Sequence, residues 1–377
     1  MPNVFVSRSR ARLLCLMLVG ALVAGLPVGC SMLERKEREL VFRIEPGTAS
    51  WYRGLPSSVQ ELELTAPAFG DNQTIHAWWW PVEQPNAPAL LYLHGSRWNL
   101  TGHQSRLEQI RSLGFSVLAI DYRGFGQSLG ELPSEASVYE DARIAWDHLK
   151  TLQPDADRRL IYGHSLGGAV AVDLAAELGR DAERRGEAPE ARALIIESAF
   201  TTLADVATEI ADTPWPIRWL LSQKFDSVDK IDQVGMPVLL VHGTNDQYVP
   251  ARFSEQLYAA ARQPKQLLLV EGGNHNNAMR VGRQAYSRAI EQLLSQTHAR
   301  QADGGSVAAR SRGAKGLTIE HAVRCQRRVG GVAPAGCTGR AQQVCRAFES
   351  AAGGVHGLRP SSIQARVACQ NPSRWRS

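Results

Sequence analysis

Two periods of apolar residues interleave along the chain. Continuous apolar runs at Ala89–Leu93, Phe115–Ile120, Leu160–Tyr162, Ala193–Ile196, Pro237–Val241 and Gln266–Val270 have the pattern of strands covered on both faces. Val59–Leu64 alternates strictly, which suits a half-exposed edge strand, and Thr74–Trp80 is a further strand stopped by Pro81. The triple Trp78-Trp79-Trp80 fits packing on both sheet faces. Helical spacing falls between these runs, at about 104–113, 137–152, 169–178, 251–262 and 281–296. Such alternation of strand and helix predicts an α/β chain with a mostly parallel, doubly wound sheet. Gly179–Pro189 is a charged surface loop or helix extension, and 31–58 a solvated, mixed-charge spacer and lead-in.

Candidate chemistry enters at Gly163-His164-Ser165-Leu166-Gly167-Gly168, between an apolar strand and a small-residue helix. A strand that turns sharply into a helix needs small residues around the turn, because the two backbones nearly touch. Ser165 then sits at the apex with its hydroxyl presented. The Leu166 amide heads the helix, where partial positive charge can meet an oxyanion. A serine hydroxyl is a weak nucleophile, so a histidine must take its proton and a carboxylate must orient that histidine. After such an elbow the acid comes first in the chain. Asp246 follows the strand ending at His242-Gly243, and His275 follows the next one in Gly272-Gly273-Asn274-His275. Asp121 precedes the elbow and fits better as the residue holding Arg123 and the turn amides. His94, at a strand end, suits a structural bond to loop backbone.

Those segments, with His94-Gly95 and Asp121-Tyr122-Arg123-Gly124-Phe125-Gly126, resemble the α/β-hydrolase superfamily over roughly residues 59–297. The closer resemblance is to its serine aminopeptidase S33-like/BEM46-like branch, which also includes ABHD13/ABHD17-type acyl hydrolases. It implies an α/β-hydrolase fold of about eight strands with a short lid near 201–232. It also implies Ser165 as nucleophile, Asp246 as acid, His275 as base, and the Ser96 and Leu166 amides as oxyanion donors. The family usually has Asn where Ser96 stands, and the bulky Arg97-Trp98 could narrow an acyl pocket or bind an anionic head group. In the lid, Trp215 and Trp219 lie one helical turn apart, placed to wall an acyl site or touch lipid. A lid helix packed on the core fits the same pattern. The expected activity is hydrolysis of acyl ester or thioester bonds in a small acyl ester or lipid-like substrate, with no metal or organic cofactor. The alternatives are an S33-like aminopeptidase and a catalytically inert, membrane-tethered binding lipoprotein.

Composition then separates the ends from the middle. Net charge is +5, yet residues 300–377 hold 13 Lys/Arg against three Asp/Glu, leaving the rest acidic at 29 against 34. No basic stripe interleaved with aromatics suggests nucleic acid as a partner. Residues 1–30 have an export-signal pattern: Arg8, Arg10 and Arg12 precede the apolar Leu13–Leu26. Leu26-Pro27-Val28-Gly29-Cys30 resembles a bacterial lipoprotein signal with Cys30 as the lipidated residue, although Pro27 stands where leucine is usual. An uncleaved anchor or conventional cleavage are the other readings, and each gives an exported or membrane-tethered protein. The tail from 300 to 377 is poor in large apolar residues and suits a largely disordered basic extension. Its Cys325, Cys337, Cys345 and Cys369 would form two disulfides in an exported protein, with three possible pairings. Composition of this kind also arises when GC-rich DNA is translated in a wrong frame.

Overall fold

Eight strands form one sheet in the order β1-β2-β4-β3-β5-β6-β7-β8. The computed structural model describes residues 31–65, 73–211 and 217–295, so Cys30, Trp215 and the tail cysteines lie outside the described residues. β1 (Gln60–Leu64) and β2 (Ile75–Trp80) form an antiparallel edge, and β2 pairs antiparallel with β4 (Ser116–Ile120). From β4 onward every pairing is parallel, through β3 (Ala89–Leu93), β5 (Arg159–His164), β6 (Ala193–Glu197), β7 (Val238–Gly243) and β8 (Lys265–Val270). The continuous apolar runs are the wholly buried strands, because helices cover both faces and both side-chain directions meet a core.

Alternation assigns each residue to a core. Ala89, Leu91 and Leu93 of β3 join the core under α3 (Glu135–Leu152) and α4 (Leu166–Arg185), while Leu90 and Tyr92 join the core under α2 (Leu100–Arg111). Trp78 and Trp80 likewise pack on the second core and Trp79 against the first, as period-two spacing requires. α3 opens on a capping box, with Ser134 and Ser137 each bonding the other's backbone N–H. α6 (Arg252–Ala260), the short α7 (Ala278–Val281) and α8 (residues 283–295) complete the layers.

α4 continues past Leu178 to Arg185, the helix-extension reading of that segment, and ends on Gly186 in the left-handed conformation. Residues 31–42 form a helix, α1, rather than a solvated spacer. Its charged side does face water, where Arg35 and Lys36 pair with Glu39. Its other side buries Phe42 edge-on to Phe125 and Phe225, with ring centroids 6.4 and 6.2 Å away. Glu37 accepts bonds from the Ser222 and Gln223 amides at 2.8 Å. Burying one phenylalanine in full contributes about 1.5–3 kcal/mol, while the charged residues of the same helix stay in water. In the region expected for a lid, the described residues form α5 (Leu203–Ala211), a 3-10 turn at Ile217–Trp219 and another at Ile231–Gln233, and Trp219 is 87% exposed. Among the described residues no helix is long and apolar enough to cross a membrane.

Candidate active site

β5 passes directly into α4, and Ser165 makes the turn with φ 55° and ψ −121°. That region costs a non-glycine residue about 1–3 kcal/mol and persists only where neighbours enforce it. Here the Ser165 amide donates to Glu197 O at 2.9 Å, and its carbonyl accepts from the Gly168 amide at 2.8 Å. Close backbone approach explains the flanking glycines. A Cβ on Gly163 would stand 2.2 Å from Gly167 O, and one on Gly167 would stand 2.0 Å from Leu93 O.

The two loops that carry Asp246 and His275 are bonded to each other. Asn245 N–H donates to Gly273 O at 2.8 Å, Thr244 N–H to Val270 O at 3.0 Å, and Gly272 N–H to the Thr244 hydroxyl at 3.0 Å. Parallel neighbours β7 and β8 deliver both loops to the same sheet edge as the elbow. His275 Nδ1 lies 2.7 Å from Asp246 Oδ2, and His275 Nε2 lies 3.0 Å from Ser165 Oγ. The carboxylate fixes the proton on Nδ1, which leaves Nε2 free to accept from the serine hydroxyl.

Asp246 is held from four sides. Its Oδ1 accepts from the Tyr248 and Val249 amides at 2.9 Å, and His242 Nε2 approaches Oδ2 at 3.2 Å. His242 faces two acceptors with Nε2, the other being Val249 O at 2.8 Å, so its proton sits there and its Nδ1 accepts from Ser254 Oγ. Burial pushes the Asp246 carboxyl up, but the bonds from His242 and His275 outweigh it and hold it well below the usual range. A carboxyl harder to protonate folded than unfolded adds stability that is complete above its unfolded value of about 4 and is lost as pH falls below that. Urea titrations should therefore show the wild type losing on the order of 2 kcal/mol more than Asp246→Asn between pH 5 and pH 2. Parallel pH curves for the two proteins would remove that linkage.

Leu166 is the first residue of α4, directly after Ser165, so its N–H lies at the helix N-terminus. Ser96 follows Gly95, where an added Cβ would stand 3.1 Å from Ser165 Cβ, so the Ser96 loop borders Ser165. The segment after α1 fastens this loop: Arg97 N–H donates to Phe42 O and Glu45 N–H to Arg97 O, both at 2.8 Å. Arg97 adopts φ 85° and pairs with Glu45 at 3.1 Å, while Trp98 packs edge-on to Trp51 at 4.9 Å. Both bulky side chains are thus engaged by the lead-in.

His94 is fully buried, with Nδ1 2.6 Å from Gly95 O, in the backbone-bonding place expected of it. Asp121 does not hold Arg123. Arg123 pairs with Asp141, whose two oxygens take its Nε and its backbone N–H, because α3 brings that carboxylate under the turn. Asp121 instead accepts from Leu100 N–H at 2.8 Å, anchoring the start of α2 beside the Ser96 loop. Arg106, His164, Glu197 and His242 also converge here without being singled out by the sequence. His164 and His242 lie inside the quoted motifs, and Glu197 is a carboxylate closing an apolar strand; nothing local marks Arg106.

A family model described as serine aminopeptidase, S33 matches residues 84–228, which include the Ser96 loop and the elbow. The uncharacterized protein Rv2307c of Mycobacterium tuberculosis is 36% identical over 231 residues, covering 60% of this chain and 77% of that one. Human alpha/beta hydrolase domain-containing protein 17B is 31% identical over 217 residues, covering 56% and 68% respectively. The Pyrococcus furiosus esterase Pf2001 shares the fold at a TM-score of 0.53 and 18% identity, over 67% of this chain and 97% of that one. Sheet order, family model and relatives agree: the chain belongs to the α/β-hydrolase superfamily, in its serine aminopeptidase S33-like branch.

Proposed function

We propose that this hydrolase cleaves acyl ester or thioester bonds through an acyl-enzyme on Ser165. The observation that carries the reading is the unbroken relay from Ser165 Oγ to His275 Nε2 at 3.0 Å and from His275 Nδ1 to Asp246 at 2.7 Å. As Oγ attacks the carbonyl carbon, its proton passes to Nε2 and the carbonyl oxygen gains charge opposite the Leu166 and Ser96 amides. Collapse expels the alcohol or thiol, which takes the proton from His275. Water then gives its proton to His275, attacks the acyl carbon, and frees the acid and Ser165. Asp246 remains ionised throughout and balances the imidazolium.

Acyl esters are favoured over free-amine peptides because the described lid carboxylates are already engaged. Asp205 accepts from Thr201 Oγ and Glu209 pairs with Arg252, whereas Ile210 and Leu220 present exposed apolar surface. A fluorophosphonate probe should label wild-type protein at Ser165. A panel of p-nitrophenyl acyl esters, acyl thioesters and aminoacyl anilides should then show turnover of the first two classes. Faster turnover of the anilides would make the protein an aminopeptidase, and an unlabelled Ser165 would remove the acyl-enzyme altogether.

A further inference from the structure

Behind the loop that carries His275 lies a buried ionic cluster that the proposed reaction does not use. Arg106 of α2 and Glu197, the last residue of β6, are both buried and meet through Nη1 and Oε1 at 2.6 Å. The second Glu197 oxygen accepts from the hydroxyls of Tyr162 and Tyr286, the latter at 3.1 Å. Arg106 Nη2 donates to Asn276 O at 3.1 Å, and His164 Nε2 lies 2.8 Å from His275 O.

The geometry also fixes the His164 tautomer. Its Nε2 faces the His275 carbonyl, which can only accept, and Arg106 Nη2 at 3.2 Å, which can only donate. A lone pair on Nε2 would oppose the carbonyl oxygen at 2.8 Å, whereas Arg106 Nη2 already has Asn276 O as its acceptor. Nε2 therefore carries the proton and donates to His275 O. Burial, with the Arg106 charge adding to it, holds His164 well below the usual histidine range, so it is neutral with a single N–H to give.

Two consecutive carbonyls, those of His275 and Asn276, are thus gripped by donors from two different elements. Glu197 completes the frame. Its side chain holds Arg106, and its own carbonyl takes the Ser165 amide at 2.9 Å. One residue therefore references the base's loop and the nucleophile's backbone to the same strand end. A buried ion pair is seldom better for stability than well-packed apolar side chains. Catalysis is more sensitive to such a frame, since misplacing a reacting group by about 1 Å can cost on the order of 10²-fold in rate.

We infer that Arg106, held by Glu197, and His164 are positioning residues that set the His275 imidazole against Ser165. This rests on the proposed roles of Ser165 and His275. The test uses the full chain carrying His164→Leu, His164→Gln or Arg106→Lys, with ester kinetics, fluorophosphonate labelling rate and thermal melting measured together. His164→Leu should lower kcat by about 10- to 100-fold with KM within about twofold, and slow labelling in parallel. His164→Gln, which can still present an N–H to His275 O, should recover most of that loss. Arg106→Lys cannot reach Glu197 and Asn276 together and should lower kcat in the same way; if it fails to fold, the His164 pair decides alone. Wild-type kcat and labelling rate in a folded His164→Leu, or no recovery with His164→Gln, would overturn the inference while leaving the reaction in place. An unlabelled wild type would instead remove the reaction itself.

Discussion

Ser165→Ala is expected to cut ester turnover by about 10⁴-fold or more while leaving the fold intact. Alanine keeps the Cβ, so the φ 55° conformation and the backbone bonds that enforce it are unchanged. What disappears is one hydroxyl, bonded to His275 at 3.0 Å, and a single such bond is worth about 1 kcal/mol to stability. Rate and stability should therefore separate. The alanine variant melts like the wild type in the same buffer, and its residual rate is what the Leu166 and Ser96 amides supply to attacking water. Kinetics on p-nitrophenyl esters and a melting curve check both halves. Turnover within tenfold of the wild type would move the nucleophile elsewhere.

Gly167→Ala should have the opposite signature, a loss of the fold itself. The added methyl would stand 2.0 Å from Leu93 O and 2.5 Å from His94 O. Both are backbone atoms at the end of a central buried strand, so no side chain can swing away to relieve the contact. Either α4 lifts off β3 or the strand end moves, and each separates packed core. The expected cost exceeds about 3 kcal/mol, a large share of the 5–15 kcal/mol typical of a folded protein. Urea midpoints would measure it, with poor soluble yield as the cruder sign. A normal midpoint would show that the strand end yields, and the Ser96 loop that follows Leu93 and His94 would then be displaced.

The sheet and the three converging side chains were legible because each is encoded locally. Buried parallel strands need continuous apolar runs, the elbow needs Gly163 and Gly167 around Ser165, and the fold fixes the order of Asp246 and His275. Arg106 was illegible for the converse reason, since its partners Glu197 and Asn276 lie 91 and 170 residues away and its helix shows only an ordinary arginine. The Asp121 expectation failed similarly. It rests on the nearest carboxylate in the chain, while the two that bind Arg123, Glu140 and Asp141, sit 17 and 18 residues on, brought in by α3.

The run from Phe42 to Glu45 has a practical consequence for where this enzyme begins. The family-model match begins at residue 84, and the strand pattern near Val59, so trimming ahead of those points looks harmless on paper. Yet a truncation at 58 would take away the oxygen that receives the Arg97 amide, the carboxylate beside its guanidinium, and the ring that seals Phe125 and Phe225 from water. Removing those residues is therefore expected to loosen the Ser96 loop beside Ser165, even though the sheet itself would keep every strand.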